Sequence, residues 1–224
     1  MMGKLKKLTG YRLFLPLSCL IIVLLINLIT TPTFFRITIN NGVLYGYIID
    51  VINRASELVV LAVGMTLVVS ASAGTDISVG AVMAVAAAVC TRVLAGGEVS
   101  VNEYANPYVL AVLAALAAAV VCGGFNGFLV AKLKIQPMVA TLILFTAGRG
   151  ISQLVTNGQI TYIRVDGYKL LGNNIPGIPI PTPIFVAVIV VVLTYILLKK
   201  TAMGMYIQSV GINERASRLV GLNP

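Results

Sequence analysis

Leu58-Val-Val-Leu-Ala-Val-Gly-Met-Thr-Leu-Val-Val-Ser-Ala-Ser-Ala-Gly-Thr-Asp-Ile-Ser-Val-Gly-Ala-Val-Met-Ala-Val-Ala-Ala-Ala-Val-Cys-Thr-Arg-Val-Leu-Ala95 is an apolar run broken once, at Ala73-Gly-Thr-Asp-Ile-Ser-Val-Gly80. At about 1.5 Å per residue the run makes about 57 Å of helix, close to two crossings of a bilayer core about 30 Å thick. Gly74, Thr75, Ser78 and Gly80 interrupt the helix where a chain reversing direction needs free backbone groups. This stretch is therefore read as two membrane helices joined at a turn, and it sets the pattern for the rest of the chain.

Composition agrees. Apolar residues make up 58% of the 224 and charged residues 10%, with a mean hydropathy of +0.99. A soluble domain needs about a quarter charged residues to cover its surface. About six spans are expected, over Phe14–Thr31, Asp50–Ser72, Ala81–Ala95, Tyr108–Val130, Met138–Val155 and Ile184–Leu198. Asp50, Arg54 and Glu57 have the spacing of paired charges on one helix face where the second span enters the membrane. The fold class is all-α, a polytopic transmembrane bundle in the lipid bilayer. A basic N-terminus occupies residues 1–13, the membrane domain 14–198 and a cytoplasmic loop 199–224.

The net charge of +9 sets topology rather than nucleic-acid binding, because the basic residues sit at the ends of apolar runs. With the N-terminus in the cytoplasm, Lys4, Lys6, Lys7, Arg12, Lys132, Lys134, Lys199, Lys200, Arg215 and Arg218 fall on the inner side. Arg36, Arg54, Arg92, Arg164 and Lys169 fall outside, and Arg149 is left within the membrane. The chain has no His, which removes imidazole metal sites and His-based catalysis. Cys19, Cys90 and Cys122 lie inside apolar runs at unrelated spacings and read as small buried hydrophobes. No metal, cofactor or catalytic residue is expected. The Tyr residues gather near span ends, as an interfacial belt does.

Few residues stand out as functional. Asp76 costs about 2.5–3.5 kcal/mol at membrane depth, so it is either a pathway or gate element or, if it lies at the inner face, the cap of the third helix. Arg149, in Thr146-Ala-Gly-Arg-Gly150, must face the bundle interior, as a structural clamp or as a substrate contact. Asn126 lies in the patch Gly123-Gly-Phe-Asn-Gly127, where close helix packing with an interhelical amide hydrogen bond stands beside a pathway role. Thr66, Ser70, Ser72, Thr141, Ser152 and Gln153 add weak donors and acceptors along which a neutral polyol could pass. In the tail, Asn213 can cap a short helix with Glu214 in its first turn, Arg218 in its last and Gly221 as the stop. Such a helix either docks into a partner's groove or simply connects two spans.

Several of these stretches resemble permeases of the ribose/galactofuranose/xylose class of ABC sugar importers, galactofuranose permeases being nearest in wording. Asn53-Arg-Ala-Ser with Leu-Ala-Val-Gly-Met-Thr-Leu-Val-Val69 is similar to the second span of that class. Asp76-Ile-Ser-Val-Gly-Ala81 resembles its Gly-Gly-Ile-Asp-Leu-Ser-Val-Gly signature, with Ala73-Gly-Thr75 in place of Gly-Gly-Ile. Lys134-Ile-Gln-Pro-Met-Val-Ala-Thr-Leu142 and Ala147-Gly-Arg-Gly150 also match. So does Lys200-Thr-Ala-Met-Gly204, followed by Gly211, Asn213, Ala216 and Gly221. The resemblance implies an inner-membrane permease subunit with Asp76, Ser78, Asn126, Thr141 and Arg149 as substrate-pathway candidates. It implies that Gly204, Gly211, Asn213, Glu214, Ala216 and Gly221 couple to a separate ATPase subunit, which cysteines at Ser209 or Ser217 would reach. An extracytoplasmic sugar-binding protein and a second permease copy are the other implied partners. Members of the class continue past this loop into a second half, so the chain is expected to be truncated there and to transport nothing on its own.

The chain carries no Gly-x-x-x-x-Gly-Lys-Ser/Thr phosphate loop, so ATP hydrolysis falls to another subunit. A permease for nucleosides or branched-chain amino acids stays open within the same superfamily. A secondary transporter would need coupling carboxylates near the midplane of two repeated halves, for which Asp76 is the sole candidate. An intramembrane enzyme lacks paired carboxylates and a thiol beside a base.

Overall fold

The computed structural model describes residues 13–31, 33–40, 43–165, 167–168, 172, 175 and 178–222. Lys4, Lys6, Lys7, Arg12 and Lys169 of the topology argument lie outside them. Six apolar helices stand where six spans were expected: α1 (Phe14–Thr30), α2 (Tyr47–Ser72), α3 (Val79–Ala95), α4 (Tyr108–Gly127), α5 (Pro137–Val155) and α6 (Thr182–Lys200). Four are long and apolar enough to cross a membrane, α4 being extended to Lys132 by a π-helical turn. α1 and α3 have 17 residues each, at the lower edge of the ~17–25 that a crossing takes.

Helix boundaries follow local chemistry. Pro137 and Pro183 stand in the first turns of α5 and α6, where a missing N–H leaves no bond unmade. α2 ends at Ala73, which takes the left-handed conformation (φ 52°, ψ 18°). This is the conformation in which a C-terminal glycine is usual. Asp50, Arg54 and Glu57 all lie on α2, but among the described residues the ion pairs within 4.0 Å both involve Glu214. The three charges therefore share a helix without pairing.

The connections sort to two ends. At one, Asp76, the π-helical turn and the tail come together; we call it the tail end. At the far end, Thr38–Asn40 (β1) pairs antiparallel with Val43–Tyr45 (β2). Ser100–Val101 (β3) pairs parallel with Tyr162–Ile163 (β4), tying the loop after α3 to the loop after α5. These strands rest on backbone pairing of short loops and left no signal in the sequence.

α3 packs against α4 and α5, and α2 against α6. The buried face of α3 is Ala81, Val85 and Ala88, residues at helical spacing and small enough for close approach. A Cβ on Gly148 of α5 would come 3.0 Å from the Ala81 Cβ. α1 buries none of its described side chains. Most large apolar side chains are exposed, as expected of a bundle whose solvent is lipid.

The tail holds two helices, Ala202–Ile212 (α7) and Glu214–Leu219 (α8). α7, not singled out in the sequence, packs back against α2 and α6. Gly204 and Gly211 are what permit it: Cβ atoms there would overlap the carbonyls of Leu198 and Ser70.

Candidate functional site: a polar cluster above the tail helices

Four of the five pathway candidates converge at the tail end. Oδ1 of Asp76 accepts from the backbone N–H of Ser78 at 2.7 Å and from its hydroxyl at 2.6 Å. The Ser78 oxygen in turn accepts from Nδ2 of Asn126 at 2.8 Å. The next backbone group, the Ile77 N–H, donates to the Thr141 hydroxyl at 3.2 Å. Ser78, Asn126 and Thr141 are buried. The cluster thus ties together the α2–α3 turn, α4 and α5, and Asp76 holds the start of α3 from within that turn.

One atom is left over. Oδ1 of Asn126 is buried without a partner among the described residues, and such an acceptor costs about 1–3 kcal/mol unless something donates to it. Asn126 also lines a cavity of about 650 Å³ together with Asp76, Lys134, Gln136, Thr141 and Glu214. That volume lies within the range of small-molecule sites. Gly123, Gly124 and Gly127 are not packed against another described helix: no described residue lies within 4 Å of a Cβ placed on any of them. Close packing across that glycine face is therefore replaced by open space, with Gly123 and Gly127 on the cavity wall. The interhelical amide hydrogen bond is present.

The tail forms the lower wall of this cavity through Val210, Gly211 and Glu214. Asn213 caps α8, its Oδ1 accepting from the Ala216 N–H at 3.0 Å, and Gly221 follows at φ +85°. Glu214 accepts from Lys134 at 2.5 Å and from Arg218 at 2.8 Å. The Lys134 hydrogen bond holds the Glu214 carboxyl below its ordinary range, with Arg218 adding to the shift. Lys134 itself has φ 55°. The Lys134–Glu214 contact joins residues 80 apart in sequence, so no local pattern announces it. Ser217 is buried and bonds back to the Asn213 carbonyl at 3.0 Å. A cysteine there would face inward rather than reach a partner. Ile212, Leu219 and Val220 are the strongly exposed side chains of this region, at 85%, 89% and 76%.

Arg149 stands apart. It is exposed on α5 rather than facing the bundle interior, with its guanidinium 4.5 Å from the centroid of the Phe145 ring. It lies eight residues beyond Thr141 on α5, about 12 Å along the axis, and makes no ion pair with Asp76 among the described residues.

Residues 47–224 match the model of a family described as the permease component of branched-chain amino acid transport systems. The chain belongs to that permease family. It is a multi-pass membrane protein, and several of its relatives are named for sugar transport. It is 44% identical over 207 residues to the galactofuranose transporter permease of Escherichia coli K12, covering 92% of this chain and 58% of the relative. Against the fructose import permease of Bifidobacterium longum NCC 2705 the identity is 38%, over 98% of this permease chain and 60% of the relative. Against the ribose import permease of E. coli K12 it is 34%, over 92% and 60%. The chain thus spans about three-fifths of the length of these relatives. No solved structure matches it.

Proposed function

We propose that this permease chain belongs to an ATP-binding-cassette importer that moves a monosaccharide across a bacterial inner membrane. The observation that carries the reading is the placement of the tail. α7 and α8 sit directly under the cavity formed by Asp76, Asn126 and Thr141, so displacing them changes the floor of that cavity. Ile212, Leu219 and Val220 offer an apolar knob to a partner, and the capped α8 is suited to entering a groove on an ATPase subunit. The names of three relatives, for galactofuranose, fructose and ribose, support a sugar as the cargo. In this reading the N-terminus and tail are cytoplasmic and a separate ATPase supplies the energy. A binding protein delivers the sugar on the other side, and a second permease copy encloses the route. Residues 204–221 transmit the motion.

The test is co-expression with a candidate ATPase and binding protein, followed by uptake of labelled galactose, fructose and ribose into vesicles. ATP-dependent uptake of one of them is expected, with a cysteine at Leu219 crosslinking to the ATPase. The family description raises one rival, and uptake of leucine in place of a sugar would establish it. Uptake driven by a proton gradient without ATP would replace both with a secondary transporter.

A further inference from the structure

A second cavity, of about 280 Å³, opens between α3 and α5 towards the far end of the bundle. Thr91, Ser152, Gln153, Thr156, Gln159 and Thr161 line it, with alanines of α3 and Ile160 completing the wall. Among the described residues it contains no carboxylate and no amine, so it suits an uncharged ligand. The orientation of its hydroxyls narrows the class further. Thr91 donates to the Ala87 and Ala88 carbonyls at 3.0 and 3.1 Å. Ser152 donates to the Arg149 carbonyl at 2.8 Å, and Thr156 to the Ser152 carbonyl at 3.1 Å. With each proton directed back into its own helix, the oxygen lone pairs remain to accept. The Gln153 and Gln159 carboxamides bring both donors and acceptors. A ligand carrying several O–H groups satisfies that wall, and an apolar side chain does not.

A polar stripe runs on from the cavity along α5. Thr146, Arg149, Gln153 and Thr156 recur at steps of three, four and three residues, which places them on one helix face. The first three are exposed and Thr156 is half-buried. Arg149 is held on this face by the Phe145 ring. A guanidinium on a hydrocarbon-facing surface costs about 2.5–3.5 kcal/mol or more, so a face of this kind lines water or protein rather than lipid. β3 and β4 fix the far wall, since the Tyr162 N–H donates to the Val99 carbonyl at 2.7 Å directly after Thr161.

We propose that the Thr91–Gln153–Thr156–Gln159 cavity is a binding site for a neutral polyhydroxylated ring, and that the Thr146–Arg149–Gln153–Thr156 face of α5 lines the wet route leading from it. The ligand class rests on the sugar-import reading above; the wetness of the face does not.

Thiol labelling separates the two. Cys19, Cys90 and Cys122 are replaced by alanine, and single cysteines are placed at Gln153, Thr156 and, as a lipid-facing control, Leu116, which is 58% exposed in mid-α4. A membrane-impermeant maleimide added to vesicles holding the full chain is expected to label Gln153→Cys and Thr156→Cys. Leu116→Cys stays unlabelled, because a thiol in hydrocarbon does not ionise. D-galactose or D-ribose at about twice its Kd slows the labelling about threefold by mass action. If neither Gln153→Cys nor Thr156→Cys reacts while the control background is folded by circular dichroism, the face is not wet. The site then falls and the sugar-import reading stands. If both react but leucine protects them and the sugars do not, the polyol assignment falls together with that reading.

Discussion

Gly211 of α7 lies against the backbone carbonyl of Ser70 in α2, so closely that a Cβ at Gly211 would overlap the oxygen. The contact places the tail on the end of a membrane helix through backbone alone, with no side chain to yield. Gly211→Ala therefore has to push α7 away from α2. Overpacking of this kind costs about 1–3 kcal/mol, and here the strain is released by lifting the tail. The expected outcome is a lower melting temperature in detergent and faster proteolysis between Thr201 and Gly221. Gly221→Ala, whose Cβ would meet no described residue within 4 Å, should leave α7 in place and act through its positive φ.

The buried cluster predicts an asymmetry between its two members. Ser78→Ala removes the acceptor for Asn126 Nδ2 and the donor to Asp76, leaving buried groups unpaired at about 1–3 kcal/mol. Asn126→Ala removes an amide whose oxygen already lacks a partner, so part of its cost is refunded by deleting that atom. Ser78→Ala should destabilise more than Asn126→Ala, and the double variant should fall short of the sum, as coupled neighbours do. Chemical unfolding in detergent measures all three. Equal and additive losses would mean that the Ser78–Asn126 bond contributes nothing.

Much of this arrangement can be read from sequence because it is periodic or local. The apolar runs gave the six helices, and Asn213, Glu214, Arg218 and Gly221 gave the capped α8. What could not be read depends on distant groups meeting. The Lys134–Glu214 pair, the seat of Gly211 on Ser70 and the β3–β4 pairing each join segments far apart in sequence, and neither partner is unusual alone. Gly123-Gly-Phe-Asn-Gly127 misled for a related reason: small residues permit close approach without requiring it, and here they border a cavity. Arg149 was expected inside the bundle because burial is the usual escape from lipid. Its exposure instead marks the α5 face as one that the rest of the assembly or water must cover.

Ala73 closes α2 at φ 52°, a conformation that costs an L-residue with a Cβ about 1–2 kcal/mol relative to glycine. The sugar-permease signature that this stretch resembles carries Gly-Gly-Ile where this chain has Ala73-Gly-Thr75. Ala73→Gly should relieve the strain, offset by the extra freedom of glycine in the unfolded chain, about 0.4–1 kcal/mol. A net stabilisation of about 0.5–1 kcal/mol is expected, seen as a raised unfolding midpoint. Gly74→Ala should do the reverse, because its Cβ would come 2.5 Å from the Pro137 ring. A loss of stability in Ala73→Gly would show that the alanine methyl makes a compensating contact.

Glu214 supplies the pH dependence of tail docking. Its carboxyl is held below the ordinary 4.5 chiefly by the Lys134 hydrogen bond, so the charged form is favoured when α8 is docked. A depressed carboxyl stabilises above its undocked value and loses that contribution as pH falls through the docked one. Docking should therefore be unchanged from neutrality down to about pH 5 and weaken below 4.5. Both partners are about half exposed, so the effect is small and screened by salt. A spin-label pair at Lys132 and Leu219 would follow it, the distance widening under acid and at high salt in the native sequence. Glu214→Gln should show the wider distance at neutral pH and no further response to acid. An unchanged distance in that variant would place the docking energy wholly in the Gly211–Ser70 contact.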